Sequence, residues 1–398
     1  MKKLLLVILF FPAFILIGCI SDTGADIPPL PESGRQADPA GDPSPEPAEI
    51  QKPAPESVPE PTPEPAPEPK IDPIIDHAPQ HPPSFGFIDA HADSISRALT
   101  NDPVIHSLYD NDILHVDFKR LSGFDAPVQV FAVWLPEAYI SSAFETTNLM
   151  FDFFEREVEK HSDIIEIALD LDDILRIAGE GKISAILSIE GGEALEGKIE
   201  KLDHFYNRGV RILGLTWNRE NELGYGQATG SSRGLKPFGI ECIKRMDELG
   251  MIMDISHLNE AGFWDANDIS TRPYMASHSN SYTVFPHTRN LKDEQIIAIA
   301  ESGGIIGFNM FPPFISQNRN VTIGDVFEHL RHIIQIGAGN HIGLGCDFDG
   351  ITTMPEGING VQSLRWLKEV LANEFDEDVS HKIMEGNFYE FFKRYFEG

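Results

Sequence analysis

The sequence predicts an α/β protein whose ordered part is a (β/α)₈ barrel of the TIM type. Three observations predict it. Short apolar runs alternate with amphipathic helical segments, the runs are almost continuously apolar, and polar or ionisable residues gather where the runs end. Such alternation is typical of α/β folds, and continuous apolar runs suit parallel strands covered on both faces. An open doubly wound sheet is the alternative, but no glycine-rich phosphate loop follows the first run.

The chain begins with a segment typical of secretory signals, over residues 1–18. Lys2 and Lys3 precede an apolar core from Leu4 to Ile17, which is short for a membrane span. The ending LIGC resembles the lipobox of bacterial lipoproteins, which implies cleavage before Cys19 and lipid attachment to its thiol. A plain signal peptide or an uncleaved anchor is the alternative. Every version predicts an extracytoplasmic protein, and the lipoprotein version predicts a membrane anchor in the bacterial cell envelope.

Residues 19–84 predict a linker that does not fold alone. Residues 20–84 hold 19 of the 29 prolines, and PEPTPEPAPEPK repeats Pro-Glu with no apolar core to bury. Proline fixes φ and removes a hydrogen-bond donor, so we expect an extended, disordered tether. At ~3.1 Å per residue in polyproline II, it would reach on the order of 100–200 Å. A tail without a selected length is an equally open interpretation.

Residues 85–398 are long enough for one large domain and contain eight candidate strands. In chain order these are FGFIDAH, VQVFAVWL, SAILSIE, RILGLTW, MIMDIS, YMASH, GIIGFNM and HIGLGCDF. Helical patterns lie between most of them, for example LKPFGIECIKRMDELG, LKDEQIIAIAESGG and TIGDVFEHLRHIIQIGAG. Several of these end in glycine, as a left-handed helix cap requires. Eight units in about 310 residues fit a barrel with insertions.

Polar residues at the ends of the runs predict where the active site lies. In a barrel of this type the carboxyl ends of the strands form one rim, and that rim holds the active site. The residues at these ends are His91, Asp93, Glu190, Trp217, Asn218, His257, His278 and Asp347.

The residue types at the rim predict a metal centre. His91 and Asp93 are two residues apart, so on a strand they would face the same way. Glu190 could bridge two ions with its two oxygens, although it could also be an acid at a helix start. A lone His is more often structural, but His257 and His278 end adjacent runs. Imidazole and carboxylate ligands suit Zn²⁺, and two ions about 3.5–4 Å apart would hold a bridging hydroxide at neutral pH.

Two further residues complete the predicted chemistry. Asp347 could hydrogen-bond the attacking water and move its proton to a leaving amine. Arg289, in HTRN, could hold a carboxylate through two parallel hydrogen bonds, or it could be a surface ion pair. Asp349 is expected to be a turn or cap residue beside Gly350.

Composition excludes two classes of protein. The formal net charge of −31 argues against binding to nucleic acid. The count of three cysteines excludes a disulfide scaffold. If Cys19 is lipidated, Cys242 and Cys346 remain, and they could pair or stay free.

Six separated motifs together resemble the membrane dipeptidase family, also called renal dipeptidase. They are DAHAD, SIEGG, DISH, SHSN followed by HTRN, GCDFDG and EGNFYEFF. The resemblance covers essentially all of 85–398. It implies a zinc-dependent hydrolase on a (β/α)₈ barrel that cleaves dipeptides and tolerates a D residue at their C-terminal position. Members of the family often form homodimers.

The resemblance also implies a role for each motif residue. Asp347 would act on the water between the metals, and Arg289 would hold the C-terminal carboxylate of a dipeptide. The implied zinc ligands are His91 and Asp93 for the first ion, His257 and His278 for the second, and Glu190 for both.

One position departs from the family pattern. Mammalian members carry a His after LT that contacts the substrate carbonyl, and here that position is Trp217. Indole has one donor and no titratable group. Trp217 or Asn218 could take over part of the electrophilic role, the substrate could be held differently, or Trp217 could be an aromatic pocket wall. Losing one transition-state donor costs ~10²–10³ in rate.

Two other functions remain open from the sequence. The first is a related dinuclear-metal hydrolase acting on another amide, lactam or ester, because a fold does not fix a substrate. A substrate without a carboxylate would not need Arg289. The second is a non-catalytic binding lipoprotein with a decayed site, against which the presence of all five predicted metal ligands argues.

Overall fold

The computed structural model describes residues 84–101 and 103–397 and confirms the predicted barrel. The predicted signal peptide, Cys19 and almost all of the tether lie outside the described residues. Within the described residues the strands are β1 (Ile88–Asp89), β2 (Val128–Trp134), β3 (Ile165–Ile167), β4 (Ile183–Glu190), β5 (Val210–Gly214), β6 (Ile252–Asp254), β7 (Met275–Ala276), β8 (Ile305–Phe308) and β9 (Ile342–Leu344).

Helices alternate with the strands, as the sequence pattern predicts. They are α1 (Ser94–Thr100), α2 (Phe118–Leu121), α3 (Ala143–Lys160), α4 (Leu171–Gly179), α5 (Ile199–Asn207), α6 (Pro237–Leu249), α7 (Glu260–Ile269), α8 (Asp293–Glu301), α9 (Pro312–Ile315), α10 (Ile323–Ile333), α11 (Leu364–Glu374), α12 (Glu377–His381) and α13 (Asn387–Glu397). None of the helices in this part of the chain is long and apolar enough to cross a bilayer.

Eight parallel strands close the barrel. The order is β1, β2, β4, β5, β6, β7, β8 and β9, and β9 returns to β1 through the pair Asp89 and Leu344. All eight residues of β4 are buried, because neighbouring strands and helices cover both of its faces. The carboxyl ends of the eight strands therefore meet at one rim, where the sequence predicts the site.

The strand β3 was not among the eight predicted runs. It pairs in parallel with Ile183–Ala185 at the start of β4, whereas β5 pairs with the later residues of β4. Its three residues, IEI, are too few for a periodic pattern to stand out. The barrel strands are also shorter than the predicted runs, since β1 and β7 have two residues each.

The C-terminal helix α13 packs one apolar face into the core. Its buried residues Phe388, Phe391, Phe392 and Tyr395 follow the spacing of one helix face. They belong to the same apolar cluster as residues of the barrel strands and of α4. Burying such aromatic side chains stabilises the fold by roughly 1.5–3 kcal/mol each.

We predict that Gly307→Ala in β8 destabilises the barrel by about 1–3 kcal/mol, through overpacking. A Cβ atom at Gly307 would lie 2.0 Å from the backbone oxygen of Ser277 and 2.8 Å from Cα of Gly345. The measurement is the free energy of unfolding in urea. Gly179→Ala, at the end of α4, is the matched control, because its Cβ would meet nothing within 4 Å. Equal stability of the two variants would contradict the close approach between strands.

Candidate metal centre

The rim brings the five predicted metal ligands into one cluster, in which three imidazoles surround an oxygen of Glu190 and Asp93 lies against His91. Glu190 Oε1 lies 2.9 Å from His257 Nε2, 3.4 Å from His278 Nε2 and 3.9 Å from His91 Nε2. Asp93 Oδ2 lies 3.3 Å from His91 Nε2. All five side chains are buried. Residues separated by up to 187 positions in the chain thus meet, although their roles as ligands stay predictions.

Each of these side chains is placed by the end of a barrel strand. Glu190 is the last residue of β4, and His257 and His278 follow β6 and β7 within three residues. The prediction that His91 and Asp93 lie on the same face of one strand is wrong. The strand β1 ends at Asp89, and Asp93 is the residue that caps the start of α1. The two side chains still meet, because the chain turns into the helix between them.

The chemistry of this cluster fits bound cations. The Nε2 atoms of His257 and His278 are 2.9 Å apart, and Oδ1 of Asp93 is buried without a hydrogen-bond partner. Two sets of three ligand atoms lie within 4.8 Å of one another, His91 with Glu190 and His278, and His91 with Asp93 and Asp347. Within the described residues no Lys or Arg pairs with these carboxylates. Buried charges need such compensation, and metal ions would supply it.

The electrostatics of the cluster divide its side chains into two groups. Burial raises the pKa of Glu190 well above its usual value, and the charge of Asp93 adds to the rise. Burial lowers the pKa values of His257 and His278 well below the usual value, which keeps both imidazoles neutral. Burial also lowers the pKa of His91, but the neighbouring carboxylates outweigh it and raise that pKa to about 10. The neutral imidazoles of His257 and His278 are in the form that binds metals, whereas Glu190 and His91 would release their protons when a metal binds.

A second layer of hydrogen bonds orients the imidazoles. His257 Nδ1 donates to Asn218 Oδ1 at 2.8 Å, which leaves its Nε2 free to face Glu190. Nδ1 of His278 donates to Ser277 Oγ at 2.8 Å, and that hydroxyl donates to Asp254 Oδ2 at 2.5 Å. Partners of this kind fix the tautomer and the ring orientation of metal-binding histidines.

Asp347 is held beside the cluster in a strained backbone conformation. Its φ is 60°, and that of His257 is 68°, in the left-handed region that non-glycine residues seldom adopt. Asn309 Nδ2 donates to Asp347 Oδ2 at 2.9 Å. Burial raises the pKa of Asp347 to about 7. A carboxyl group with such a pKa can both accept and release a proton near neutral pH.

Asp349 lies in a turn, as the sequence predicts, and its carboxylate also links separate segments of the chain. It is buried, and its carboxylate accepts hydrogen bonds from Ser94 Oγ at 2.5 Å and from the backbone N–H of His115 at 2.6 Å. The loop after β9 is thereby fixed to the start of α1.

A cavity of about 280 Å³ opens above the cluster. Trp217 and Trp134 form one side of it, with ring centroids 5.0 Å apart, and Phe311 and Phe314 also line it. Trp217 is therefore part of an aromatic wall. Asn218 lines the cavity as well, but its amide oxygen is occupied by His257.

The predicted carboxylate binder Arg289 lies behind this cavity. It is buried and lines an adjacent cavity of about 350 Å³, which shares His257 with the first. Its NH2 donates to the backbone oxygen of His278 at 3.3 Å, and its Nε is buried without a partner. Arg289 is thus close to the centre, with a donor left for a ligand.

Several residues of the site were missed from the sequence. Asp254, Ser277 and Asn309 act on predicted residues through hydrogen bonds, and Trp134 and Arg97 line the cavity. A buried Asp within the apolar run MIMDIS was the one signal available. Cys242 and Cys346, for which pairing was left open, are both buried free thiols.

Comparison with known sequences gives one family and several relatives. The sequence model of membrane dipeptidase (peptidase family M19) matches residues 83–395. A protein of Acinetobacter calcoaceticus encoded in a PQQ-III 3′ region is 32% identical over 279 residues, which cover 62% of this chain and 88% of that protein. A dipeptidase of Claviceps purpurea is 30% identical over 284 residues, which cover 68% of this chain and 66% of that protein.

Comparison with solved structures gives the same barrel. A metallopeptidase of Rhodobacter sphaeroides, liganded with a phosphinate mimic of the dipeptide L-Ala-D-Ala, has a TM-score of 0.72 and 26% identity. A second metallopeptidase, the dipeptidase AC of family M19, has a TM-score of 0.73 and 28% identity. Each match covers 78% of this chain and 99% of the other.

We predict that Ser277→Ala lowers metal affinity by roughly 10–100-fold, the usual effect of losing a second-layer partner. The substitution removes the hydroxyl that joins His278 to Asp254. The measurement is metal retained by the full chain against a competing chelator. Ser279→Ala is the control, since that neighbouring hydroxyl is buried but has no partner among the described residues. Equal retention by both variants would contradict an orienting role for Ser277.

Proposed function

The chain belongs to the membrane dipeptidase family, a family of metallopeptidases, and on that premise we propose that it cleaves L-L and L-D dipeptides at a centre of two zinc ions. The observation that carries the proposal is the buried cluster in which three imidazoles surround Glu190 Oε1 and Asp93 lies against one of them, His91. Thiolates are absent from this cluster, and imidazole with carboxylate is a ligand set of catalytic zinc.

The ligands divide into two groups in this proposal. His91 and Asp93 would hold the first ion, His257 and His278 would hold the second, and Glu190 would be shared by both. Zinc held by these residues would supply Lewis-acid chemistry, which lowers the pKa of a water and polarises the attacked carbonyl. The hydrogen bonds from His257 to Asn218 and from His278 to Ser277 keep both rings turned toward Glu190.

Asp347 and Arg289 supply the remaining functions. Asp347 accepts the proton of the attacking water and passes it to the leaving amine, because Asn309 engages one of its oxygens and burial brings its pKa to about 7. Arg289 binds the C-terminal carboxylate of the dipeptide through the donors that the protein leaves free. Trp217 closes the cavity as an aromatic wall, at the position where mammalian members of the family carry a His.

The size of the cavity and one relative support dipeptides as substrates. A volume of about 280 Å³ is at the lower end for a small-molecule site and suits a molecule of two residues. The Rhodobacter sphaeroides metallopeptidase binds a mimic of L-Ala-D-Ala. That ligand supports acceptance of a D residue at the C-terminal position here.

We also propose that the protein is a lipoprotein of the bacterial cell envelope. The support is the sequence LIGC at the end of the apolar segment, followed by the Pro-Glu linker before the barrel. Lipid on Cys19 would hold the enzyme at the membrane, and the linker would let it act at a distance from the surface.

We predict that the full chain releases free amino acids from L-L and L-D dipeptides when loaded with zinc. A chelator should abolish the release, because the cluster needs cations, and added zinc should restore it. The measurement is amino-acid release from a dipeptide panel, with metal content determined in parallel. No cleavage by a folded chain that holds two zinc ions would overturn the dipeptidase proposal and favour another amide, a lactam or an ester.

Asp347→Asn is the matched variant for this assay. It keeps the hydrogen-bonding shape but cannot take up a proton, and loss of such a group lowers kcat by roughly 10²–10⁴-fold. A fall of this size in kcat, without loss of bound metal, assigns proton transfer to Asp347. Loss of metal together with rate would instead assign Asp347 to the ligand set.

We predict that Cys19→Ser releases the protein from the membrane fraction in a bacterial host that processes lipoproteins. The hydroxyl of serine cannot replace the thiol in lipid attachment, so the anchor would be lost. The measurement is fractionation with metabolic labelling by a fatty acid, and Cys242→Ser is the control, because Cys242 is buried in the barrel. Equal labelling of the Cys19→Ser variant and the unchanged chain would exclude lipidation at this position.

A further inference from the structure

One face of α1 forms a wall of the cavity above the metal centre. Asp93, Ser96, Arg97 and Thr100 all line this cavity. Their spacing is 0, 3, 4 and 7, which places them along one side of a helix. Arg97 therefore follows the predicted metal ligand Asp93 by one helical turn.

Arg97 is the one Lys or Arg among the residues that line this cavity. The same lining contains four carboxylates, those of Asp93, Glu190, Asp347 and Asp349. Throughout residues 84–101 and 103–397, no acid forms an ion pair with Arg97, and its side chain is exposed. By contrast Arg219, also at the rim, pairs with Glu137 at 2.9 Å.

Asp349 also lines the cavity, and its carboxylate oxygens are engaged by other donors. Asp349 already accepts hydrogen bonds from Ser94 Oγ and from the backbone N–H groups of His115 and Val116. Its carboxylate is thus used to fix the loop after β9. Among the described residues the guanidinium of Arg97 has no hydrogen-bond partner, so its donors can serve a ligand in the cavity that it lines.

The distances suit a second carboxylate of a bound dipeptide. One helical turn advances about 5.4 Å, so Arg97 begins about that far from the metal-binding Asp93. A dipeptide side chain of two or three carbons, attached next to the cleaved bond, spans a similar length. Arg289 is a separate cation behind His257, in the adjacent cavity. Two cations in different places can therefore bind two carboxylates of one substrate.

We propose that Arg97 binds a side-chain carboxylate of the substrate and selects dipeptides that contain Asp or Glu. This inference rests on the dipeptidase function proposed above. The four carboxylates of the cavity and the net charge of −31 would otherwise repel an acidic substrate. A guanidinium forms paired hydrogen bonds with a carboxylate, and this geometry distinguishes Glu from the isosteric Gln.

The test measures hydrolysis of two pairs of dipeptides by the zinc-loaded full chain and its Arg97 variants. The pairs are Ala-Glu with Ala-Gln, and Glu-Ala with Gln-Ala, each with an L or a D residue at the C-terminal position. The measured quantity is the ratio of kcat/KM for the Glu dipeptide to that for its Gln partner. We expect a ratio of about ten in the unchanged chain for at least one pair, the value of a charge-assisted hydrogen bond at a partly exposed site. Arg97→Gln should bring the ratio to one or below, and Arg97→Lys should keep part of it.

Two controls separate this role from a general effect of charge. Arg219→Gln removes a cation at the same rim that is already paired, and it should leave the ratio in place. Raising the salt concentration should lower the ratio in the unchanged chain, because Arg97 is exposed and its charge is screened. Calorimetry of Ala-Glu and Ala-Gln with the metal-stripped chain measures the same preference without turnover.

Each outcome decides between the two proposals. A Glu to Gln ratio near one in the unchanged chain overturns the inference but leaves the dipeptidase in place. A ratio that is unchanged in Arg97→Gln also overturns the inference. If kcat/KM of that variant falls equally for all dipeptides, Arg97 binds the C-terminal carboxylate, which every dipeptide has, and not a side-chain carboxylate. Failure of the unchanged chain to cleave any dipeptide overturns the proposed function and this inference with it.

Discussion

Three carboxylates and three imidazoles share a small buried space at the rim of the barrel, and the rest of the site depends on compensating their charge. Asp93, Glu190 and Asp347 are all buried, and none of them has a Lys or Arg partner in the described part of the chain. An uncompensated buried carboxylate costs several kcal/mol. Cations between these groups would compensate the carboxylates, and the neutral imidazoles of His257 and His278 are suited to bind them.

The barrel holds the predicted metal ligands through a layer of hydrogen bonds that starts at the strand ends. Asp254, at the end of β6, accepts from the hydroxyl and the backbone N–H of Ser277 and so joins two adjacent strand ends. The loops beyond these strands hold His257 and Asp347 in left-handed backbone conformations. Such conformations persist only where the surroundings determine them strongly, and they collect at functional sites.

The cavity has two parts: the cluster at its base, which the barrel rim supplies, and walls formed by other residues of this chain. The fold supplies the rim and the ligand positions, and loops after the strands supply the walls. Here the walls include the pair Trp134 and Trp217 and the exposed cation Arg97, whereas Arg289 lies in the adjacent cavity. The two arginines give the site separate positive charges in two cavities that share His257, beside an otherwise acidic centre.

The sequence by itself determined the barrel fold and which residues gather at its rim. Apolar runs of strand length, separated by helical patterns, predict the (β/α)₈ fold, because parallel strands buried on both faces leave a strong local signal. Polar residues at the ends of those runs identify His91, Glu190, His257, His278 and Asp347, because the rim of a barrel collects all strand ends.

Only the tertiary structure decided how these residues are held and what surrounds them. It placed Asp93 at the start of α1 instead of on a strand, joined His278 to Asp254 through Ser277, and put Arg289 behind the cavity and Arg97 in its wall. These relations depend on strand register, on loop conformation and on contacts between segments far apart in the chain. Periodicity and composition report only on neighbours along the sequence, so they carry no information about such contacts.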